Sequence, residues 1–185
     1  MKTRGPVNAS AVNFARRQCG ASLLEGIAYL GIAALVILGA VSLLTGAFSS
    51  AQSNRGAEEI VSIRTAVKKL YMGQANSYVA GPLTASLNTA KLFPTTLALN
   101  AAGTAMTNSW GGDVTVTGAG STFLITYTGV PQEACISMIS GASGWSGISG
   151  NGGAEIAAFP LTPVDAARIC SVATAAGNSV VLTSR

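Results

Sequence analysis

The chain has 185 residues, a formal charge of +4, three cysteines and no histidine. That length bounds it to about one compact domain with an appendage. The missing histidine removes the usual serine and cysteine triads and zinc's commonest ligand. The seven acids are scattered, so paired-carboxylate catalysis has no support either. The sequence therefore predicts no catalytic residue, no metal site and no cofactor.

The charge is unevenly placed. Lys2, Arg4, Arg16 and Arg17 all precede Gly20 and no acid does, which leaves seven Lys/Arg against seven Asp/Glu in the remainder. A neutral remainder lacks the basic surface that a nucleic-acid partner needs. The basic start reads instead as a cytoplasmic topogenic signal, and residues 1–20 are set aside as a leader peptide. Lipoprotein processing at Cys19 would need an apolar approach, but Arg17-Gln18 precedes it. A bare arginine pair is a weak export signal. An ordinary secretory peptide, cut at Ser49-Ser50-Ala51 before Gln52, is the serious rival; its apolar run would be longer than the usual h-region and would carry a charge at its head.

From Gly26 to Asn54 there is no charged residue, enough to span a bilayer as a helix. Glu25 stands at the start of that run, where a carboxylate is costly and reads as functional. Beyond Arg55, Ile60, Ile63, Val67 and Leu70 form an amphipathic stripe, with Arg55, Glu58, Glu59, Arg64, Lys68 and Lys69 assigned to the opposite, solvent face. No proline interrupts 21–73, so a single helix of roughly 80 Å is predicted, ending near Gly73, with about 26–48 in the membrane. Its weakest stretch is Gly39 to Gly46, since glycine costs about 1 kcal/mol against alanine in a helix.

Residues 74–185 are predicted to form a globular head. The segment 74–109 reads as irregular, with a short helix around Thr84–Leu92. Asp113–Thr117 and Thr122–Thr128 alternate about Gly118-Ala119-Gly120, an antiparallel hairpin burying Val114, Val116, Phe123, Ile125 and Tyr127. Pro131 opens a short helix carrying Cys135. Residues 140–153 hold six glycines around Trp145 and read as an exposed surface loop, without the lysine of a phosphate cradle. Thr162-Pro163-Val164-Asp165 caps a second helix carrying Cys170, and Ser179–Thr183 is a final strand of the hairpin's sheet. With the basic flank inside, the head lies in an oxidising compartment, where Cys135 and Cys170 are expected to be bridged; the alternative is two buried thiols.

Gly20-Ala21-Ser22-Leu23-Leu24-Glu25 with its hydrophobic helix, Trp110-Gly111-Gly112 followed by the hairpin ending Gly129-Val130-Pro131, and the Cys135/Cys170 pair together resemble a type IV prepilin. The long leader and Ala21 in place of phenylalanine favour the type IVb subclass, and the whole is most like the major thin-pilus prepilins of conjugative plasmids. The resemblance implies an α+β fold: a helical spine packed on a C-terminal antiparallel sheet of four to five strands. It implies a structural role and no enzymatic one. A prepilin peptidase would cut between Gly20 and Ala21 and methylate the amine of Ala21. An inner-membrane assembly platform would pass the subunit into an extracellular, helical homo-oligomeric filament, with Glu25 required for assembly. The rival readings are a secreted or singly anchored binding module and a type II secretion pseudopilin.

Overall fold

The computed structural model describes residues 23–74 and 77–185. Gly20 and Ala21 lie outside the described residues. The chain divides into two structural units, parted between Leu43 and Leu44.

Helix α1 runs unbroken from Leu23 to Leu70, 48 residues, and is regular through Gly39 and Gly46. No proline interrupts it, Glu25 occupies its first turn, and Lys68 and Lys69 occupy its last, the charge arrangement that a helix dipole favours. Three further residues form a turn, and Gly73 takes φ +99° where the chain leaves the helix.

In the second unit α1 buries Ser53, Gly56, Glu59, Ile60, Ile63 and Val67. The apolar stripe is as expected at Ile60, Ile63 and Val67, whereas Leu70 is 38 % exposed. Two charged positions depart from their expected solvent face. Glu59 lies four residues before Ile63, hence on the same arc of the helix, and is 3 % exposed. Arg64 is half-buried.

The head continues with β1 (Tyr78–Pro82), α2 (Thr84–Thr89), β2 (Ala98–Leu99), β3 (Met106–Thr107), β4 (Asp113–Gly120), β5 (Phe123–Val130), α3 (Gln132–Ser140), β6 (Gly147–Gly150), α4 (Pro163–Ile169) and β7 (Asn178–Ser184). All pairings are antiparallel, in the order β2-β3-β4-β5-β7-β6, with β1 also on β4. The segment expected to be irregular thus supplies three short strands as well as α2. They were illegible because two of them are two residues long, too short for alternation to register.

Alternation sets the core. Val114 pairs with Tyr127 and Val116 with Ile125; Ile125 pairs in turn with Leu182, and Tyr127 with Val180. These side chains share one apolar cluster with Ile60, Ile63 and Val67 of α1. Each large one fully buried contributes about 1.5–3 kcal/mol. Tyr71, Tyr78 and Phe123 add edge-to-face contacts at 5.3 and 4.8 Å between centroids.

The glycine-rich stretch is not a surface loop. Trp145 is 6 % exposed and Ile148 is fully buried. Gly147–Gly150 forms a strand beside β7, capped in turn by a bridge from Ile148 to Ile156. Its glycines are there for close approach: a Cβ on Gly150 would run into the backbone of Ile169. Composition alone could not separate this from flexibility.

Helix α4 starts with the expected cap: the Asp165 amide donates to Thr162 Oγ1 at 3.2 Å, and that hydroxyl donates to Asp165 at 2.7 Å. Pro131 is the cap residue of α3 rather than its first helical position. Cys135 and Cys170 are joined in a disulfide with Cα atoms 5.8 Å apart, tying α3 to the C-cap of α4.

Candidate assembly interface

The first unit presents an apolar helical surface. Leu24, Ile27, Leu30, Val36, Leu38 and their neighbours are more than half exposed in the single chain. Among the described residues, α1 is the one helix long and apolar enough to cross a membrane. Such a surface requires either lipid or other apolar helices around it. The carboxylate of Glu25 lies near its start, and the Tyr29 hydroxyl one turn on donates to it at 3.4 Å.

In the second unit, the residues that hold α1 to the sheet are polar as well as apolar. The Thr96 hydroxyl donates to Glu59 at 2.6 Å. Burial raises the pKa of this carboxyl, and Thr96 and the positive charge of Arg55 counter it only in part. The Tyr127 phenol is fully buried beside it without a well-formed hydrogen bond, and burial and the Glu59 charge push its pKa well up. One turn further along, Arg64 donates through Nε to Ser184 and through Nη1 to the Ser143 carbonyl, both at 3.2 Å. Its guanidinium lies 4.9 Å from the ring centre of Trp145. Arg64 thus pins β7 and the turn before β6 to the helix, a cation–π clamp of about 1 kcal/mol.

The Trp110-Gly111-Gly112 motif has a mechanical role. A Cβ on Gly56 would sit 2.9 Å from the Trp110 indole, so Gly56 is the notch into which that ring fits. Asn108 sets the ring's turn, accepting from the amides of Trp110 and Gly112 at 3.0 Å and donating to the Thr128 carbonyl at 2.8 Å. Gly112 is required because a side chain there would strike Thr128. At the same end, buried Asn178 donates to the carbonyls of Val130 and Val172 at 3.1 and 2.9 Å and accepts from the Val172 amide at 2.8 Å.

Sequence reasoning singled out Glu25 and the cysteine pair but missed Gly56, Glu59, Arg64, Asn108 and Asn178. Glu59 and Gly56 could have been found from the helical arc they share with Ile60 and Ile63. Asn178 carried no such signal, since it reaches the remote Val130 carbonyl, whereas Asn108 bonds the amides two and four residues on, a local turn that an asparagine before Trp-Gly-Gly could have signalled.

A long apolar helix whose second half packs on an antiparallel sheet, with a cysteine pair near the C-terminus, defines the type IV pilin class. The fold matches the type IVb pilin from Salmonella typhi at 25 % identity and TM-score 0.57, over 70 % of this chain and 97 % of that one. It also matches TcpA, a type IV pilin from Vibrio cholerae El Tor biotype, at 14 % identity and TM-score 0.51, over 72 % and 99 %. Residues 50–185 match the family described as PilS N terminal. The chain belongs to that family. No match was found among curated proteins. Fold and family make it a structural pilus subunit rather than an enzyme.

Proposed function

We propose that this chain is the type IVb subunit of a thin pilus of the conjugative kind, serving adhesion or the stabilisation of mating pairs. The observation that carries the reading is the apolar surface of α1 from Leu23 to Phe48, which continues without a break into the helix that holds the head. The same surface serves lipid before assembly and neighbouring helices afterwards, so one helix accounts for both the inner-membrane precursor and the extracellular filament. Peptidase cleavage after Gly20 frees the amine of Ala21, which is then methylated, and the assembly platform extracts the mature subunit. The identity to the Salmonella typhi type IVb pilin supports the subclass. The continuous helix through Ser49–Gln52 supports cleavage at Gly20 over a secretory cut near Ala51.

Glu25 takes the assembly role. A carboxylate charge among apolar helices is costly unless a cation meets it, and the amine of Ala21 on a neighbouring subunit is the cation that cleavage supplies. Pairing at one axial offset then fixes register, a specificity role beyond stability. N-terminal sequencing of the mature protein tests the reading: Ala21 supports the pilin, Gln52 the secreted module. Glu25→Val chains should be cut to the Ala21 form and accumulate in the inner membrane without filaments. Normal pili from Glu25→Val cells would reduce the residue to a topological marker. Long surface filaments, rather than short periplasmic ones, separate a pilus from a type II pseudopilin.

A further inference from the structure

An oxygen-lined pocket of about 260 Å³ opens where α3 meets α1, walled by Ser49, Ser50, Ser53, Asn54, Glu133 and Ser137. Its chemistry is one-sided. It offers a carboxylate, four hydroxyls and an amide, and no cation lines it. Ser53 gives its proton to the Ser49 carbonyl at 2.8 Å, so its oxygen lone pairs stay available to accept. Glu133 is exposed and has no ion pair among the described residues, where the ion pair is Arg168 with Asp165. A compact charge with three donors, an ammonium, suits such a site better than a planar guanidinium.

Among the head's cations, Lys68 and Lys69 stand side by side at the far end of the same helix, while Lys91 and Arg185, also without an ion pair among the described residues, are single. Arg64 is spent on Trp145, Ser143 and Ser184, Arg168 on Asp165, and Arg55 lies beside Glu58 and Glu59. Lys68 and Lys69 are exposed in the last turn of α1, without a carboxylate partner among the described residues. Partial desolvation and the positive charge of Arg64 hold Lys68 below the usual lysine range, so an anion from outside relieves a repulsion already present.

We propose that Lys68 and Lys69 of one copy dock into the Glu133 pocket of a second copy, and that this contact fixes the axial offset between the two heads. Lys68–Lys69 and the Ser49–Asn54 wall lie about 17 residues apart on one straight helix, roughly 26 Å at 1.5 Å per residue. They cannot meet within one chain. The contact is heterologous, head to tail, so each copy keeps a free donor end and a free acceptor pocket and the series propagates as an open filament. The proposal rests on the pilus reading and adds a second determinant of register, independent of the helix core.

The test is made on assembled pili. Zero-length carbodiimide coupling joins only a lysine and a carboxylate already in contact, and the separation of roughly 26 Å makes any Glu133–Lys68 or Glu133–Lys69 link intermolecular. Mass spectrometry of digested pili should find that link. Glu133→Lys alone, and Lys68→Glu with Lys69→Glu, should each cut pilus yield by roughly tenfold or more, because like charges then face each other. Combining all three reversals should restore pili, which no loss of folding could do. If pili form normally with either reversal, if the triple variant recovers nothing, or if Glu133 couples only to Lys91, the contact is wrong. A wild-type chain that forms no filament overturns the pilus reading itself, and the contact with it.

Discussion

At the scale of the residue, Glu59 shows how a charge can be kept where a sequence pattern would forbid it. Its carboxyl is nearly enclosed, takes one hydrogen bond from Thr96, and shares the buried space with the Tyr127 phenol. Burial raises its folded pKa above the ordinary 4.5. A raised acid favours the folded state in its protonated form, so its contribution is complete below the unfolded value and is lost as pH rises through the folded one. Stability of the detergent-solubilised chain should therefore decline from about pH 4.5 towards neutrality. Glu59→Gln keeps an acceptor for Thr96 without the charge; it should flatten that decline and be more stable than wild type at pH 7. Parallel urea-unfolding profiles for the two proteins would remove the assignment. Gly56 makes the opposite kind of prediction. Alanine in a helix interior ordinarily gains about 1 kcal/mol over glycine, and Gly46, where an added methyl would meet nothing within 4 Å, should show that gain or no change. At Gly56 the methyl meets Trp110 at 2.9 Å and Met138 at 3.2 Å. Overpacking of this kind costs about 1–3 kcal/mol, so Gly56→Ala should lower the melting temperature where Gly46→Ala does not.

At the scale of the element, what the sequence disclosed depended on whether a periodic signal was long enough to read. α1, the β4–β5 hairpin and the capped α4 were legible because hydrophobic spacing and capping chemistry are local. The short strands β1 to β3 were not, and β6 was hidden by glycines that serve packing against Glu155 and Ile169 rather than flexibility. This changes where the head tolerates insertion. The stretch around Gly150 reads in sequence as a free loop, but a polar tag there would split a strand from β7 and expose Ile148. The turn at Asn100–Gly103 is closed by its own hydrogen bond at 3.0 Å, and a Cβ at Gly103 would meet nothing within 4 Å. A short tag after Gly103 should leave the Cys135–Cys170 bond formed in cells, whereas the same tag at Gly150 should leave both thiols reactive to maleimide.

At the scale of the whole molecule, the head depends on a few long-range ties because its small, glycine-rich sequence limits the core it can build. The disulfide is the largest of them. It closes a loop of sequence separation 35, for which the chain-entropy argument gives about 4 kcal/mol, a substantial part of the roughly 5–15 kcal/mol that a domain of this size possesses. The loop it closes contains β6 and α4, so the same bond also holds the strand beside β7 and the turn that Arg64 clamps. Gln132 reinforces it, donating to the Cys170 carbonyl at 2.9 Å, and Asn178 fastens the segment that follows. These ties all join residues 132–178, so membrane insertion and the proposed leader removal should not require them. Cys170→Ser is therefore expected to give a chain that is cut at its leader and retained in the membrane, yet forms no pili because its head is degraded or misfolded. Immunoblotting for the processed form alongside electron microscopy of the cells separates the two steps. Abundant normal filaments from Cys170→Ser cells, with Cys135 free, would show that the apolar cluster and the asparagine anchors hold the head without the bond.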